Sequence, residues 1–210
     1  MQSTSKNPFI YLASQSPRRS QLLEQMGVAH QTLLADAAEA VAAEALEIAM
    51  KNEAPLAYVK RVTALKLNAA VVRLKQRGLP NAPVLCADTT VALGRKIYGK
   101  PESKQDAARM LTELSGQTHR VLTAVSVAYG ANAKWRVQAV SESKVTFAKL
   151  TPAQIAAYVA TGEPLGKAGS YAVQGRAAMF IVGISGSYSG IMGLPLFETA
   201  QLLKQIRFKV

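Results

Sequence analysis

Two β-rich stretches, Thr118–Tyr129 and residues 135–150, are joined by the turn-forming Gly130-Ala131-Asn132, and this pairing constrains the fold more than any other feature of the chain. Val121, Thr123, Val125 and Val127 alternate along the first stretch, which predicts a long hairpin with one face buried. Elsewhere strands and helices interleave. The expected class is therefore α/β, a mixed and largely antiparallel twisted sheet with flanking helices.

The helices announce themselves by their starts. Phe9-Ile10-Tyr11-Leu12 is an apolar run that hands over to a helix at Ser16-Pro17, where Ser16 is the expected side-chain N-cap and Pro17 fills the first helical position, where no amide is needed. Residues 31–35 read as a short strand, followed by Asp36-Ala37-Ala38-Glu39 and an alanine-rich run to Met50. Pro55 opens a longer helix in which Leu56, Val59, Val62, Leu65 and Ala69 repeat at helical spacing, with Gly78 as the stop. Ser103 with Asp106 and Thr151 with Gln154 are capping-box-like starts of two more, and Pro195 begins a closing helix through Leu196, Thr199, Leu202 and Leu203. Nothing divides the chain, so residues 1–210 are read as a single domain with a short, polar and flexible N-terminus at 1–7.

Charge narrows the partners. Lys and Arg number 25 against 13 Asp and Glu, a formal net charge of +12, which favours anions: nucleotides, nucleic acid or an acidic surface. The basic residues are dispersed and aromatics are only 6%, which argues against a nucleic-acid-reading surface. The lone cysteine, Cys86, excludes an internal disulfide framework and reads as core, and with only His30 and His119 there is no Cys/His zinc pattern. No apolar stretch approaches the roughly 20 residues of a membrane-spanning helix, so the expectation is a cytoplasmic protein with no membrane partner.

Four stretches can carry chemistry. Free amides at the helix start after Ser16, together with Arg18 and Arg19, can take a phosphate or carboxylate; the plainer reading is a capped surface helix with two solvated arginines. Asp88 follows the apolar run Val84-Leu85-Cys86-Ala87, where it can polarise a water or hold a metal; the plainer reading is an Asx turn with Thr90 at the end of a strand. Lys100, between Gly99 and Pro101, can set a charge on a phosphate or be a solvated turn lysine. The glycines of Gly166-Lys167-Ala168-Gly169-Ser170-Tyr171 permit close backbone approach to a ligand, without the order of a Walker motif, and Gln174 can read a base edge or lie on the surface.

In their order along the chain, Ser14-Gln15-Ser16-Pro17-Arg18-Arg19, Ala87-Asp88-Thr89, Gly99-Lys100-Pro101, Leu114-Ser115-Gly116-Gln117-Thr118-His119, Lys167-Ala168-Gly169-Ser170-Tyr171 with Gln174-Gly175, and Gly186-Ser187-Tyr188 with Gly193-Leu194-Pro195-Leu196 together resemble the Maf family of nucleotide pyrophosphatases. The resemblance implies two lobes around a deep cleft, as in inosine triphosphate pyrophosphatases, and hydrolysis of a nucleoside triphosphate to its monophosphate and pyrophosphate. The Tyr171 to Gly175 pattern is similar to the subgroup acting on dTTP and UTP, with modified pyrimidine triphosphates as an extension; the alternatives are 7-methyl-GTP, or a nucleic-acid or septum-associated binding role. By the same resemblance Asp88 matches the proton acceptor; Arg18, Thr89 and Gln174 match positions tied to substrate choice; Ser14, Arg19, Lys66 and Lys100 match phosphate-side positions; Asp88 and Glu39 match metal-side acids for magnesium or manganese. Members are often homodimers. Two departures stand out: Ala38 thins the acidic pair near Asp36 to Glu39, and the alanine-rich run replaces a more polar segment.

Overall fold

The computed structural model describes residues 9–37, 39 and 45–210. The N-terminus at 1–7 and the middle of the alanine-rich run lie outside them. Seven strands, β1 (Ile10–Leu12), β2 (His30–Thr32), β3 (Val84–Leu93), β4 (Lys96–Tyr98), β5 (Thr118–Tyr129), β6 (Trp135–Phe147) and β7 (Ile181–Ser185), form one mixed sheet in the order β2-β1-β3-β5-β6-β7, with β4 also on β3. β1 is parallel to β2 and β3, and every other pairing is antiparallel.

The hairpin of β5 and β6 forms as the alternation predicts, in unbroken register from Thr118 opposite Thr146 to Tyr129 opposite Trp135. The expectation of one buried face is corrected: β5 is buried on both faces through most of its length. The long helix α2 (Pro55–Gln76) packs Val59 and Val62 against Leu122 and Ala124, while α1 (Pro17–Gln25) and the closing helix α6 (Leu196–Gln205) pack Leu22, Leu23, Leu202 and Leu203 against the opposite side, with Val125 and Val127. A strand covered on both sides no longer needs polar residues on alternate positions.

Local signals set most helix starts. Ser103 accepts from the Asp106 amide to cap α3 (Lys104–Leu114), and Thr151 and Gln154 complete a capping box on α4 (Pro152–Ala160). The short α5 (Tyr188–Met192) is capped by Ser187 and ends on Gly193, whose φ of 119° belongs to the left-handed region that glycine enters without strain. β2 is shorter than the 31–35 strand expected. Another apolar cluster joins Ala107, Met110, Leu111 and Leu114 of α3 and Ile155, Tyr158 and Val159 of α4 to Val91, Val121, Val145 and Phe147, so the core continues along the sheet.

One irregularity positions everything that follows. β1 pairs with β3 at Val84 and Leu85, and β4 pairs with it at Val91 to Leu93, on the edge that β5 leaves open. Between them Ala87-Asp88-Thr89-Thr90 has no strand neighbour on that edge. A gap in a sheet exposes residues from both faces of one strand to the same space, because successive side chains point to opposite sides.

Candidate active site

A cleft of about 580 Å³ opens at this gap, within the range of small-molecule sites. Asp88 projects toward the α2 face and Thr89 toward the other. Asp88 sits inside a continuous strand, which corrects its reading as a strand-end residue in an Asx turn. What tolerates a carboxylate there, 9% exposed, is Lys66 of α2, whose ammonium donates to it and to Glu47 Oε1 at 2.7 Å. Burial works against the Lys66 charge, but the adjacent Asp88 and Glu47 carboxylates outweigh it and raise its pKa above the ordinary lysine value. Burial likewise opposes the charge of Glu47, yet Lys66 and Lys100 hold its pKa below the usual carboxylate range.

The arginines enter from the loop after β1. Ser16 takes the N-cap position of α1 with no side-chain cap, correcting the expected role; its own N–H donates to Ser14 Oγ at 3.2 Å. Arg19 donates to Gly193 O (2.8 Å), Ser14 Oγ (3.0 Å) and Thr89 Oγ1 (3.5 Å), and Arg18 donates to Met192 O at 3.3 Å. Both guanidinium groups are thus oriented by carbonyls at the end of α5, and each has N–H groups left over for a ligand. Behind Thr89 the hydroxyls form a directed chain. Thr123 Oγ1 lies 2.9 Å from Thr89 Oγ1 and donates to Gly190 O at 2.7 Å. Since a carbonyl only accepts, Thr123 spends its proton there, Thr89 donates to Thr123, and Thr89 presents lone pairs to Arg19 and the cleft. Thr123→Val is expected to lower turnover several-fold while Thr123→Ser restores it, checked by steady-state kinetics on both variants.

Part of the lining is a contiguous apolar wall of Val91, Tyr98, Val121, Tyr171, Val173 and Ile191. Gly169 lets the glycine-rich loop close onto it: its φ is +67°, and a Cβ there would meet both Val91 methyl carbons at 2.9 Å. Tyr171 is fixed from behind by His119, whose Nε2 is 2.8 Å from the phenol oxygen, with Phe147 edge-on to both rings. Burial pushes the His119 pKa down to about 4, whereas the unfolded chain binds that proton near 6.5. Stability is therefore full above about pH 6.5 and falls as pH drops toward 4, by roughly 3 kcal/mol in all. Denaturant unfolding across that window should show the loss, and His119→Gln should flatten it.

Ser14, Arg18, Arg19, Lys66, Asp88, Thr89 and Lys100 all line this one cleft. Glu39 and Gln174 do not. The Glu39 carboxylate accepts from Arg73, itself a lining residue, at 2.8 Å and from Arg77 at 3.3 Å, and it exchanges capping hydrogen bonds with Asp36, so its charge is already paired. Gln174 is solvent-exposed while its neighbours Tyr171 and Val173 turn inward, because the Gln174-Gly175 turn is held outward by Glu163, which accepts from the Arg176 amide at 3.0 Å and from Tyr158 at 2.9 Å. The sequence reading also missed Glu47, which carries no local signature in an alanine-rich run, and gave His119 no role. Cys86 is core as expected, 1% exposed, its thiol pushed up to about 11 by burial.

A wall of fixed arginines and lysines facing a wall of aromatic and branched side chains suits a ligand with a polyanionic end and a flat apolar end. The chain belongs to the family of Maf-like proteins, whose model matches residues 9–206. It is 67% identical over 202 residues to the dTTP/UTP pyrophosphatase of Albidiferax ferrireducens, covering 96% of this chain and 98% of that one. It is 62% identical, with the same coverage, to the dTTP/UTP pyrophosphatase of a Polaromonas species, and 59% identical over 196 residues to that of Cupriavidus metallidurans, covering 93% and 96%. Among solved structures it is similar to a HAM1 protein from Coxiella burnetii, with a TM-score of 0.48 at 13% identity over 93% of this chain and 98% of that one.

Proposed function

We propose that this protein is a nucleoside triphosphate pyrophosphatase that hydrolyses dTTP and UTP, and modified pyrimidine triphosphates of similar shape, to the monophosphate and pyrophosphate. The observation that carries the reading is Asp88 held on Lys66 in a gap of the sheet, in a cleft that Arg18 and Arg19 also line, in a chain 67% identical to a relative of that name. Triphosphate hydrolysis demands charge neutralisation and a positioned water more than a covalent nucleophile. The triphosphate lies along Arg18, Arg19, Lys66 and Lys100, and the base packs on Tyr98, Tyr171 and Val173. Asp88 accepts the proton of the attacking water as its oxygen bonds to the α-phosphorus. The bond from that phosphorus to the bridging oxygen breaks, and pyrophosphate leaves with the electron pair.

The donor set fits a divalent ion carried in by the substrate. Among the described residues no three His, Cys, Asp or Glu side chains gather into a cage, but Asp88 and Glu47 both accept from the Lys66 ammonium, which brings two carboxylates together in the cleft, and magnesium commonly binds through one or two carboxylates plus phosphate oxygens. Magnesium or manganese would be held by Asp88 and Glu47, in place of the Asp88 and Glu39 pair inferred from resemblance, and would supply charge neutralisation on the phosphates. No described helix is long and apolar enough to cross a membrane. A cytoplasmic setting and a homodimer complete the reading, the latter open to sedimentation.

Pyrophosphate release across a panel of dTTP, UTP, CTP, ATP, GTP and 7-methyl-GTP, with and without magnesium, tests it. dTTP and UTP are expected to lead; a purine or 7-methyl-GTP in front would overturn the substrate assignment.

A further inference from the structure

The cleft holds a second acid that the reaction above does not use for proton transfer, and the fold takes care to aim it. Three consecutive carbonyls of the segment before α2 are fastened to that helix: Leu46 O accepts from Arg61 Nη1 at 3.4 Å, Glu47 O from the Tyr58 hydroxyl at 2.8 Å and Ile48 O from Arg61 Nη2 at 3.0 Å. Arg61 is in turn gripped by both oxygens of Glu53, each at 2.7 Å, and Glu53 also accepts from the Met50 amide at 3.1 Å. On this platform the Glu47 side chain reaches inward to Lys66 Nζ at 2.7 Å and Lys100 Nζ at 3.3 Å. Those are two of the cations that line the cleft.

A carboxylate bridging two ammonium groups makes the charge-assisted hydrogen bonds that a phosphate would make. We infer that Glu47 is a built-in stand-in for a phosphate group: it occupies Lys66 and Lys100 in the free protein, yields them to the incoming triphosphate, and returns to help expel pyrophosphate. The inference rests on the nucleotide reading of the cleft. Both pairs are partly exposed, with 19% and 58% of the lysine side chains accessible, so each is of modest strength. Together they weaken the binding of any phosphate ligand by about tenfold. The gain is release: a site of bare cations would hold its pyrophosphate product, and a tethered competitor at high effective concentration prevents that.

The metal-side role given to Glu47 above acts only when a divalent ion is present. Calorimetric titration of wild type and Glu47→Gln with inorganic pyrophosphate in the presence of EDTA separates the two roles, because no divalent ion contributes. The stand-in predicts pyrophosphate binding about tenfold tighter in Glu47→Gln. Arg61→Met, outside the cleft, frees the platform and is expected to shift binding in the same direction. Unchanged or weaker pyrophosphate binding by Glu47→Gln overturns the inference. If wild type binds neither pyrophosphate nor dTTP, the nucleotide reading itself fails and takes this inference with it; if wild type binds both and only the variant fails to tighten, the nucleotide reading stands alone.

Discussion

Asp88→Asn is expected to reduce pyrophosphate release from dTTP by about 10³-fold while leaving nucleotide binding measurable. The amide keeps the shape of the carboxylate and can still accept a hydrogen bond from Lys66, so the strand and the lysine stay in place. What it loses is the capacity to take a proton from water. Affinity for dTTP should hold or rise slightly, since one negative charge near the phosphates is gone and Lys66 is freer to meet them. A coupled pyrophosphate assay and calorimetric binding on the same preparation check both halves; full turnover by the variant would remove Asp88 from the proton-transfer role.

Lys66→Met should cost both activity and fold. The ammonium is the sole cation within 4 Å of Asp88 among the described residues, and it also holds Glu47. Its removal leaves two largely buried carboxylates facing each other with Asp88 uncompensated, a change that destabilises by about 3 kcal/mol where pairs are well shielded. For a chain of this length that is a fall in Tm of about 6 to 12 °C at neutral pH. The pH dependence of the loss is also diagnostic. In the wild type the lowered pKa of Glu47 adds stability that is present above the ordinary glutamate value and is lost as pH falls through the lowered one. The variant lacks the Lys66 share of that contribution, so the stability gap between it and wild type should narrow as pH falls below the ordinary glutamate value of 4.5. Thermal melts of both proteins above and below that pH check it, because simple misfolding would not narrow the gap.

The elements that local chemistry dictates were legible. Thr151 with Gln154 and Ser103 with Asp106 cap their helices in the way their spacing predicts, because a cap is satisfied within three residues and needs nothing from the rest of the molecule. The same holds for the long hairpin, whose alternation and turn lie in one continuous stretch. Ser16 shows the limit of the rule. Its sequence is that of an N-cap, yet Arg19 draws Ser14 into the loop and the Ser16 amide turns to that hydroxyl.

Asp88 was legible as an acid beside a buried run but not as a residue inside a strand, since a lone sequence shows no counter-charge for it. The counter-charge is Lys66, 22 residues earlier, and the space for a ligand comes from β1 and β4 stopping short of each other along β3. Glu39 and Gln174 were assigned by resemblance to positions in a pattern. In this chain Arg73 and Arg77 claim the first, and the turn held by Glu163 faces the second outward.

By itself, then, the sequence determined the α/β class, the helix starts, the long hairpin and the inventory of cations and acids, because each depends on residues a few positions apart. Only the tertiary structure decided which acid meets which cation, since those pairs join segments as far apart as Glu47 and Lys100, 53 residues along the chain. Charge pairing in a cleft is a matter of distance in space, and the packing of α2 across the gap in the sheet is what sets those distances.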